Sequence, residues 1–192
     1  GSALTSNGDV TLTLKGDNHL TGGISDTGNY GRNGIASTGS LTISGGSTVT
    51  ANGGNGGNVS GDGISSNGSV TISGGTVKAA GGDSKDGYGG DGIRSDGGVT
   101  ISGNTVNAAG GSGGKVGGYG ICSFDRVAIS GGTVTANGGD GSSGGDGIRS
   151  GDIDLSGSLE LTAKAGSPNG KALSQRGNEL DLDDIKDKLG PG

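Results

Sequence analysis

The chain has 192 residues, of which 51 are glycine and only 2 are proline, and its formal net charge is −6. Hydrophobic residues make up 27 % of the chain, without tryptophan or methionine, which is too little for the thick core of an ordinary globular domain. The acidic balance, with no basic stripe interleaved with aromatics, argues against nucleic acid as a partner. No apolar run is long enough to span a bilayer, so we expect no membrane insertion.

The first predicted element is an N-terminal coil over residues 1–33, in which residues 10–14 (VTLTL) alternate between apolar and polar. The opening Gly1-Ser2 resembles a remnant of a cloning vector, and no signal peptide is present, so we expect a fragment of a longer protein. A repeated unit follows, with steps of 29, 29, 28 and 27 residues. Its starts are Gly34-Ile35, Gly63-Ile64, Gly92-Ile93, Gly120-Ile121 and Gly147-Ile148. A fixed period of this size predicts a stacked repeat architecture.

Each unit contains three short alternating runs, which predict three half-buried strands. In the unit at residues 92–119 the inward side chains are Ile93, then Val99 and Ile101, then Val106 and Ala108. The predicted fold is all-β: a single-stranded, right-handed parallel β-helix, or solenoid, with three short strands per coil of 27–29 residues. It has about six coils stacked about 4.8 Å apart and a C-terminal cap. The right hand is expected because parallel crossovers prefer it.

Equivalent positions of successive units form columns, and five inward columns are apolar throughout. The first strand stacks Ile35, Ile64, Ile93, Ile121 and Ile148; the second stacks Leu41, Val70, Val99, Val127 and Ile153, beside Ile43, Ile72, Ile101, Ile129 and Leu155; the third stacks Val49, Val77, Val106, Val134 and Leu161, beside Ala51, Ala79, Ala108, Ala136 and Ala163. A column of serines (Ser37, Ser66, Ser95, Ser123, Ser150) predicts a ladder of hydroxyls along the stack. We expect glycines to supply positive φ at the corners and flexible cover between the third and first strands.

The regular repeats cover residues 34–165, and residues 166–192 are interpreted as a C-terminal cap or, alternatively, a linker to a further domain. Residues 179–189 predict a strand followed by a short amphipathic helix. Cys122 is the only cysteine, which excludes an internal disulfide. It shares an outward column with Arg94 and Arg149, and we expect it to be an exposed, unreactive thiol because no histidine is placed to activate it.

A possible calcium site follows from the residue before each Gly-Ile, which is Asp62, Asp91 and Asp146 in three units. Asp62 and Asp91 lie one coil apart, where Ca²⁺ relieves the repulsion of like carboxylates. The alternative, which we favour, is that these Asp-Gly pairs are turn formers. The long glycine corners half-match a calcium-binding nonapeptide, but its aspartate position holds Asn58, Lys115 and Ser143, so we reject a calcium roll.

Aromatic and basic side chains provide a candidate ligand site. Tyr30 and Tyr88 both lie four residues before the glycine of a Gly-Ile pair, so they emerge from the same corner, and tyrosine rings stack on sugars. Tyr119 belongs to the column of the aspartates. Arg94 and Arg149, two coils apart, are placed to pair with acidic sugars. The alternative is that the tyrosines only cover the glycine loops.

The units at residues 63–82 and 120–139, of the form G-I-x-S-x-G-S-V-T-I-S-G-G-T-V-T-A-N-G-G, resemble glycine-rich repeats of large surface proteins of Gram-positive bacteria. They also resemble a family of carbohydrate-binding β-helices with a pectate-lyase-like fold, and the likeness covers about residues 9–165. It implies an extracellular, non-catalytic module that binds plant or host polysaccharide, with calcium at Asp62, Asp91 and Asp146. Asn33 and Tyr119 depart from the aspartate pattern.

We therefore expect an adhesin-like module of the cell surface that binds polysaccharide weakly, and a monomer. An inert stalk that projects another domain is the alternative. A polysaccharide lyase is less favoured, because its candidate bases, Arg94 with Lys78 or Lys115, have no surrounding constellation. An ice-binding face is disfavoured because Lys78 and Asn107 interrupt the outward threonines of the third strand.

Overall fold

The computed structural model describes residues 1–185, and within them each coil contributes two or three short strands. Coil 1 contains β1 (Leu4–Ser6), β2 (Val10–Leu14) and β3 (Asn18–Thr21); coil 2 contains β4 (Ile35–Ser37), β5 (Leu41–Gly45) and β6 (Thr48–Asn52); coil 3 contains β7 (Ile64–Ser66), β8 (Val70–Ile72) and β9 (Thr76–Ala80). Coil 4 contains β10 (Ile93–Ser95), β11 (Val99–Ile101) and β12 (Asn104–Ala109); coil 5 contains β13 (Ile121–Ser123) and β14 (Arg126–Asn137); coil 6 contains β15 (Ile148–Ser150) and β16 (Asp152–Lys164). The described chain ends with β17 (Leu173–Gln175), β18 (Asn178–Glu179) and α1 (Leu182–Ile185).

The strands of successive coils pair in parallel and form two long sheets. The first sheet has the order β1-β4-β7-β10-β13-β15-β17-β18, and the second holds the second and third strands of every coil. In coils 5 and 6 these two strands merge into β14 and β16, which run through the corner without a break. The predicted parallel β-solenoid of about six turns is thereby confirmed. Its right hand stays a prediction.

The register of the sheets confirms the predicted columns. Ile93 lies opposite Ile64 on one side and Ile121 on the other, and the valine and isoleucine columns of the second strand pair in the same way. Ile64, Ile93 and Ile121 are fully buried. Burying such a side chain stabilises the fold by about 1.5–3 kcal/mol. A thin strip of β-branched residues can therefore hold the coils together despite the low hydrophobic content.

The N-terminal coil is a full coil with one polar substitution. Leu4 pairs with Ile35, so it begins the isoleucine column of the first strand. Asn18 lies opposite Val49, where an apolar residue would continue the column. Its side-chain amide donates to the carbonyl oxygens of Gly16, at 2.8 Å, and Thr48, at 3.1 Å. These bonds tie the first corner to the next coil.

The predicted serine ladder exists, but its acceptors are backbone carbonyls instead of hydroxyls. Ser66 and Ser95 are buried, and their hydroxyls donate to Gly39 O and Gly68 O of the preceding coil, each at 2.7 Å. Ser123 donates to Gly97 O at 2.6 Å in the same manner. Each serine thereby adds a side-chain hydrogen bond to a turn carbonyl of the preceding coil, and Gly68 O also accepts from Gly97 N at 3.1 Å.

The long glycine corners, residues 53–61, 81–90, 110–118 and 138–145, form a second packed region, which we call the glycine lobe. The backbone N–H groups of Gly82 and Gly111 donate to Gly61 O and Gly90 O of the preceding coil, at 2.9 and 2.8 Å, and the N–H of Gly90 donates across its own loop to Gly82 O at 2.9 Å. A Cβ on Gly90 would overlap the carbonyl oxygen of Gly61. The expected flexible cover is wrong, because these loops interlock through hydrogen bonds.

Positive φ is also not the role of glycine in this lobe. The glycines with positive φ, such as Gly45 and Gly103, lie in other turns. At most glycines of the lobe, such as Gly90 and Gly111, an added Cβ would overlap the backbone of the neighbouring coil, so glycine is required there by contact distance. The lobe is thus ordered by backbone packing, and it widens the solenoid on the side between the third and first strands.

The solenoid continues beyond the predicted end of the repeat. Leu173 pairs with Ile148, which extends the isoleucine column, and β18 then pairs antiparallel with β17. Ile185 of α1 is buried and Leu180 packs against the core. The boundaries at residues 33 and 165, and the choice between cap and linker, stay predictions, and the part of the predicted helix at residues 186–189 lies outside the described residues. Within the described residues, no helix is both long and apolar enough to cross a bilayer.

Candidate functional site

The column before each Gly-Ile pair forms a polar ladder, defined by Asn33, Asp62 and Asp91. Their side-chain Oδ1 atoms accept hydrogen bonds from the backbone N–H groups of the equivalent residue one coil on, at 2.8, 2.8 and 2.7 Å, with Tyr119 N donating to Asp91. Asp146 begins the pattern again and accepts from Lys171 N at 2.8 Å. One oxygen is enough for this bond, which explains why asparagine serves in coil 1.

The second carboxylate oxygens of the ladder face different partners. Asp91 Oδ2 lies 3.5 Å from Arg94 Nη1, and Asp146 Oδ2 lies 3.7 Å from Arg149 Nη1. Three residues after Asp62 stands a serine, so among the described residues Asp62 has no salt bridge of its own. Burial and the nearby carboxylate of Asp62 together raise the pKa of Asp91 to about 7, against the lowering effect of the N–H of Tyr119. Burial also raises the pKa of Asp62.

Both arginines of the outward column rest on aromatic rings. The guanidinium of Arg94 lies 5.1 Å from the ring centroid of Phe124, and that of Arg149 lies 5.0 Å from the ring of Tyr119. Arg149 Nη1 also donates to Tyr119 Oη at 2.9 Å. Each guanidinium is therefore held by an aromatic face and a carboxylate, in the geometry of a cation–π pair.

Cys122 shares its column with these arginines, as predicted, but it is buried. The structure places it in register between Arg94 and Arg149, with only 3 % of its surface exposed. The expected exposed thiol is wrong, because the large arginine and aromatic side chains of the neighbouring coils cover a small residue in this column. Burial, with Asp91 nearby, raises the pKa of its thiol to about 12.

A second column, at the edge of the glycine lobe, forms what we call the aromatic stripe: Tyr30, Val59, Tyr88 and Val116. Its members are joined coil to coil by parallel bridges. Tyr30 and Tyr88 are each about half exposed, at 52 % and 51 %, and Val59 is 41 % exposed. Side chains of this size stay exposed here because glycines on both sides of the stripe leave no bulk to cover them.

Between the aromatic stripe and the polar ladder runs a groove of about 550 Å³. One wall is formed by three members of the stripe, Val59, Tyr88 and Val116, and the other by Asn33, Asp62, Asp91, Arg94 and Tyr119. The floor is backbone and small side chains, formed by Gly31, Ser60, Gly89 and Gly117. Because both walls are columns of the solenoid, the groove runs along the stack and crosses several coils.

The backbone polarity of this floor is one-sided. The N–H groups of Gly31, Ser60, Gly89 and Gly117 donate to carbonyls of the next coil, at 2.8–3.0 Å. Their own carbonyl oxygens accept no hydrogen bond from the part of the chain that the structure describes. The floor therefore has free acceptors and no free donors.

The structure thus gathers five of the eight predicted site residues around one groove: Asp62, Tyr88, Asp91, Arg94 and Tyr119. Tyr30 extends the aromatic stripe by two coils beyond Tyr88. Arg149 and Asp146 lie on the far side of Tyr119 and do not line the groove. Within residues 1–185 no three acidic, histidine or cysteine side chains are grouped so that they could hold a metal ion.

The groove also contains residues that the sequence analysis did not select, chiefly Val59 and Val116. Both occupy the position of Tyr30 and Tyr88, four residues before the glycine of a Gly-Ile pair. Reading that column as a whole, instead of searching for aromatics, would have found them. Phe124 had no such signal, because it lies in a turn and meets Arg94 only across coils.

The candidate bases of a lyase do not converge. Lys78 lies on β9 in the second sheet, beside Asn107 in a shallow cavity of about 200 Å³. Lys115 is exposed in the glycine lobe, and Arg94 lies on the first sheet. These three side chains are presented by different faces of the solenoid.

Two segments of the chain, residues 70–93 and 127–146, match the family model described as Beta helix repeat. They cover β8, β9 and most of β14, with part of the glycine lobe. Searches among curated proteins and among solved structures gave no match. The chain is therefore a parallel β-solenoid that contains beta helix repeats.

Proposed function

We propose that the chain is a non-catalytic, adhesin-like module of an extracellular or cell-surface bacterial protein, and that it binds polysaccharide weakly in the groove. The observation that carries this proposal is the aromatic stripe, with two half-exposed tyrosines, Tyr88 on the groove wall and Tyr30 farther along the same column. Exposed apolar side chains in a row, rimmed by polar groups, are typical of a binding surface. A groove with a few convergent polar groups is the usual form of a ligand site.

The groove suits a linear polymer better than a compact ligand. Its positions repeat once per coil, about 4.8 Å apart, because the coils are stacked as parallel strands. A linear polysaccharide lying along the stack would offer sugar faces to Tyr88 and Tyr30 and hydroxyls to the polar ladder. Only two tyrosines, two coils apart, contribute rings, so the expected affinity is weak.

Calcium, which the family resemblance implies, fits these residues poorly. Ca²⁺ takes six to eight oxygen ligands. Asp62 and Asp91 each commit one oxygen to a backbone N–H, and Arg94 stands beside the other oxygen of Asp91. Asp146 is separated from Asp91 by the Tyr119 position. We therefore assign calcium no part in glycan binding.

An inert stalk is the second candidate, and one observation favours it. The polar ladder, the serine ladder and the glycine lobe tie successive coils together along most of the stack. Such a rod would project another domain without needing its groove. Because one fold can serve many functions, the solenoid fold alone does not distinguish a stalk from a binding module.

A glycan array probed with and without Ca²⁺ tests the proposal. We expect binding to at least one linear polysaccharide, unchanged by Ca²⁺ and abolished in Tyr88→Ala. The matched control is Thr100→Ala, an exposed residue of β11 on the other sheet, which should bind like the parent. Silence across the array would refute glycan binding and favour the stalk. Release of unsaturated products from polyuronate, read by ultraviolet absorbance, would refute the non-catalytic assignment.

A further inference from the structure

The groove presents hydrogen-bond acceptors to a ligand and almost no backbone donors. The N–H groups of Asp62, Asp91 and Tyr119 are used within the polar ladder. Those of Ser60 and Gly89 donate to Tyr88 O and Val116 O, at 3.0 Å each, while their own carbonyls accept nothing in the described chain. The backbone of the groove therefore matches a ligand that brings its own donors, and donors to a ligand come only from side chains such as Asn33 and Arg94.

The charges of the groove point the same way. Two carboxylates, Asp62 and Asp91, face one guanidinium, that of Arg94, which is already paired with Asp91 and stacked on Phe124. Asp62 has a serine where Asp91 has Arg94, so among the described residues its carboxyl group has no salt bridge of its own and is open to a cationic partner. Arg149, the other arginine of the column, lies outside the groove.

We propose that the groove takes a linear polysaccharide of amino sugars with free amino groups, held by an ammonium at Asp62 and by a sugar face on Tyr88. This inference rests on the proposed function and reverses the expectation that the arginines select acidic sugars. An ammonium supplies three donors and no acceptor. A charge-assisted bond to a carboxylate is about twice as strong as a neutral one. A uronate would instead place its carboxylate against those of Asp62 and Asp91.

The test compares three hexasaccharides of one length by isothermal titration near neutral pH and at low ionic strength, where screening is weak. They are a β-1,4-glucosamine hexamer with free amines, its fully N-acetylated counterpart and a hexagalacturonate. We expect the free amine to bind about tenfold more tightly than the acetylated sugar. The hexagalacturonate should bind more weakly than either.

The decisive variant is Asp62→Asn. Asparagine keeps the Oδ1 atom that accepts from Asp91 N, as Asn33 does in coil 1, and removes only the charge. We expect it to fold like the parent, by thermal melting, and to lose the preference for the free amine. Asp17→Asn, an exposed acid in the turn between β2 and β3, removes the same charge elsewhere and should keep the preference.

Three results would overturn the inference. One is galacturonate binding at least as tight as that of the amine; another is an unchanged preference in Asp62→Asn. A lysine hexapeptide that binds as tightly as the amine would show attraction to any polycation. If galacturonate binds and Tyr88→Ala abolishes it, glycan binding survives while this selectivity fails. If no hexasaccharide binds, both fail together.

Discussion

Substituting alanine for a glycine of the lobe tests whether that region is a packed core. Gly111 is buried, its N–H donates to Gly90 O at 2.8 Å, and its carbonyl accepts from Gly118 N at 2.8 Å. Its φ is not positive, so alanine meets no backbone strain there. An added Cβ would overlap Gly82 O and lie 2.6 Å from Gly82 C, where ordinary van der Waals contact begins at 3.4 Å.

Relief of that overlap requires two hydrogen-bonded coils to move apart by more than an ångström. Overpacking of a well-packed interior costs about 1–3 kcal/mol, and contact with rigid backbone places Gly111→Ala near the upper end. For a chain of this length, about 3 kcal/mol corresponds to a fall of about 6–12 °C in the thermal midpoint. The binding groove does not include Gly111, so stability is the appropriate measurement.

The assay is thermal unfolding followed by circular dichroism, with Gly46→Ala as the matched control. Gly46 is exposed, its φ is not positive, and a Cβ there meets nothing within 4 Å. We expect this control to stay within about 0.5 kcal/mol of the parent. Equal midpoints for the two variants would refute the packed lobe and restore glycine to the role of flexible cover.

Four further outcomes are expected. The pKa of Asp91 is about 7 in the folded chain, above its ordinary value of 3.8. Its contribution to the free energy of unfolding is therefore full below about pH 4 and is lost as the pH rises through 7, so midpoints measured from pH 4 to 8 should fall less in Asp91→Asn. Ser95→Ala removes the hydroxyl that bonds Gly68 O and Gly98 O, which each still accept a backbone N–H, so it should cost about 0.5–1.5 kcal/mol in urea titrations, against no change for the exposed Ser73→Ala. Iodoacetamide should leave Cys122 unlabelled until the chain is unfolded, and labelling of the native protein would contradict its burial. EDTA should leave the thermal midpoint unchanged, and a fall would return calcium to the aspartates.

The aliphatic core could be predicted almost residue by residue, because it repeats. A column such as Ile64, Ile93 and Ile121 is visible in the sequence as one letter at a fixed spacing, and register follows from it. The repeat cannot be recognised in the sequence where the residues around a position differ from the repeated pattern, as they do near Asn18 and Leu173. The backbone pairing nevertheless continues through both positions. Periodicity read from side chains ends earlier than periodicity of the backbone.

The glycine lobe and the groove were harder to predict from the sequence, because both depend on distances between the backbones of neighbouring coils. Glycine in a sequence signals either positive φ or close approach, and nothing in the letters at Gly90 or Gly111 separates the two. Asp62 and Asp91 were placed correctly one coil apart, but their bonds run to the next coil, not to local turns. Pairings between coils, such as Arg94 on Phe124, need coordinates.

The shared register of all these columns constrains how such a chain can change length. Insertion or deletion of one whole unit shifts every later residue along the solenoid axis by one coil. Each of these residues keeps the same kinds of neighbours. A change of one residue within a strand would instead turn its buried side outward. Gene segments of 27–29 codons can therefore be copied or lost as units, and each copy would lengthen the groove by one coil.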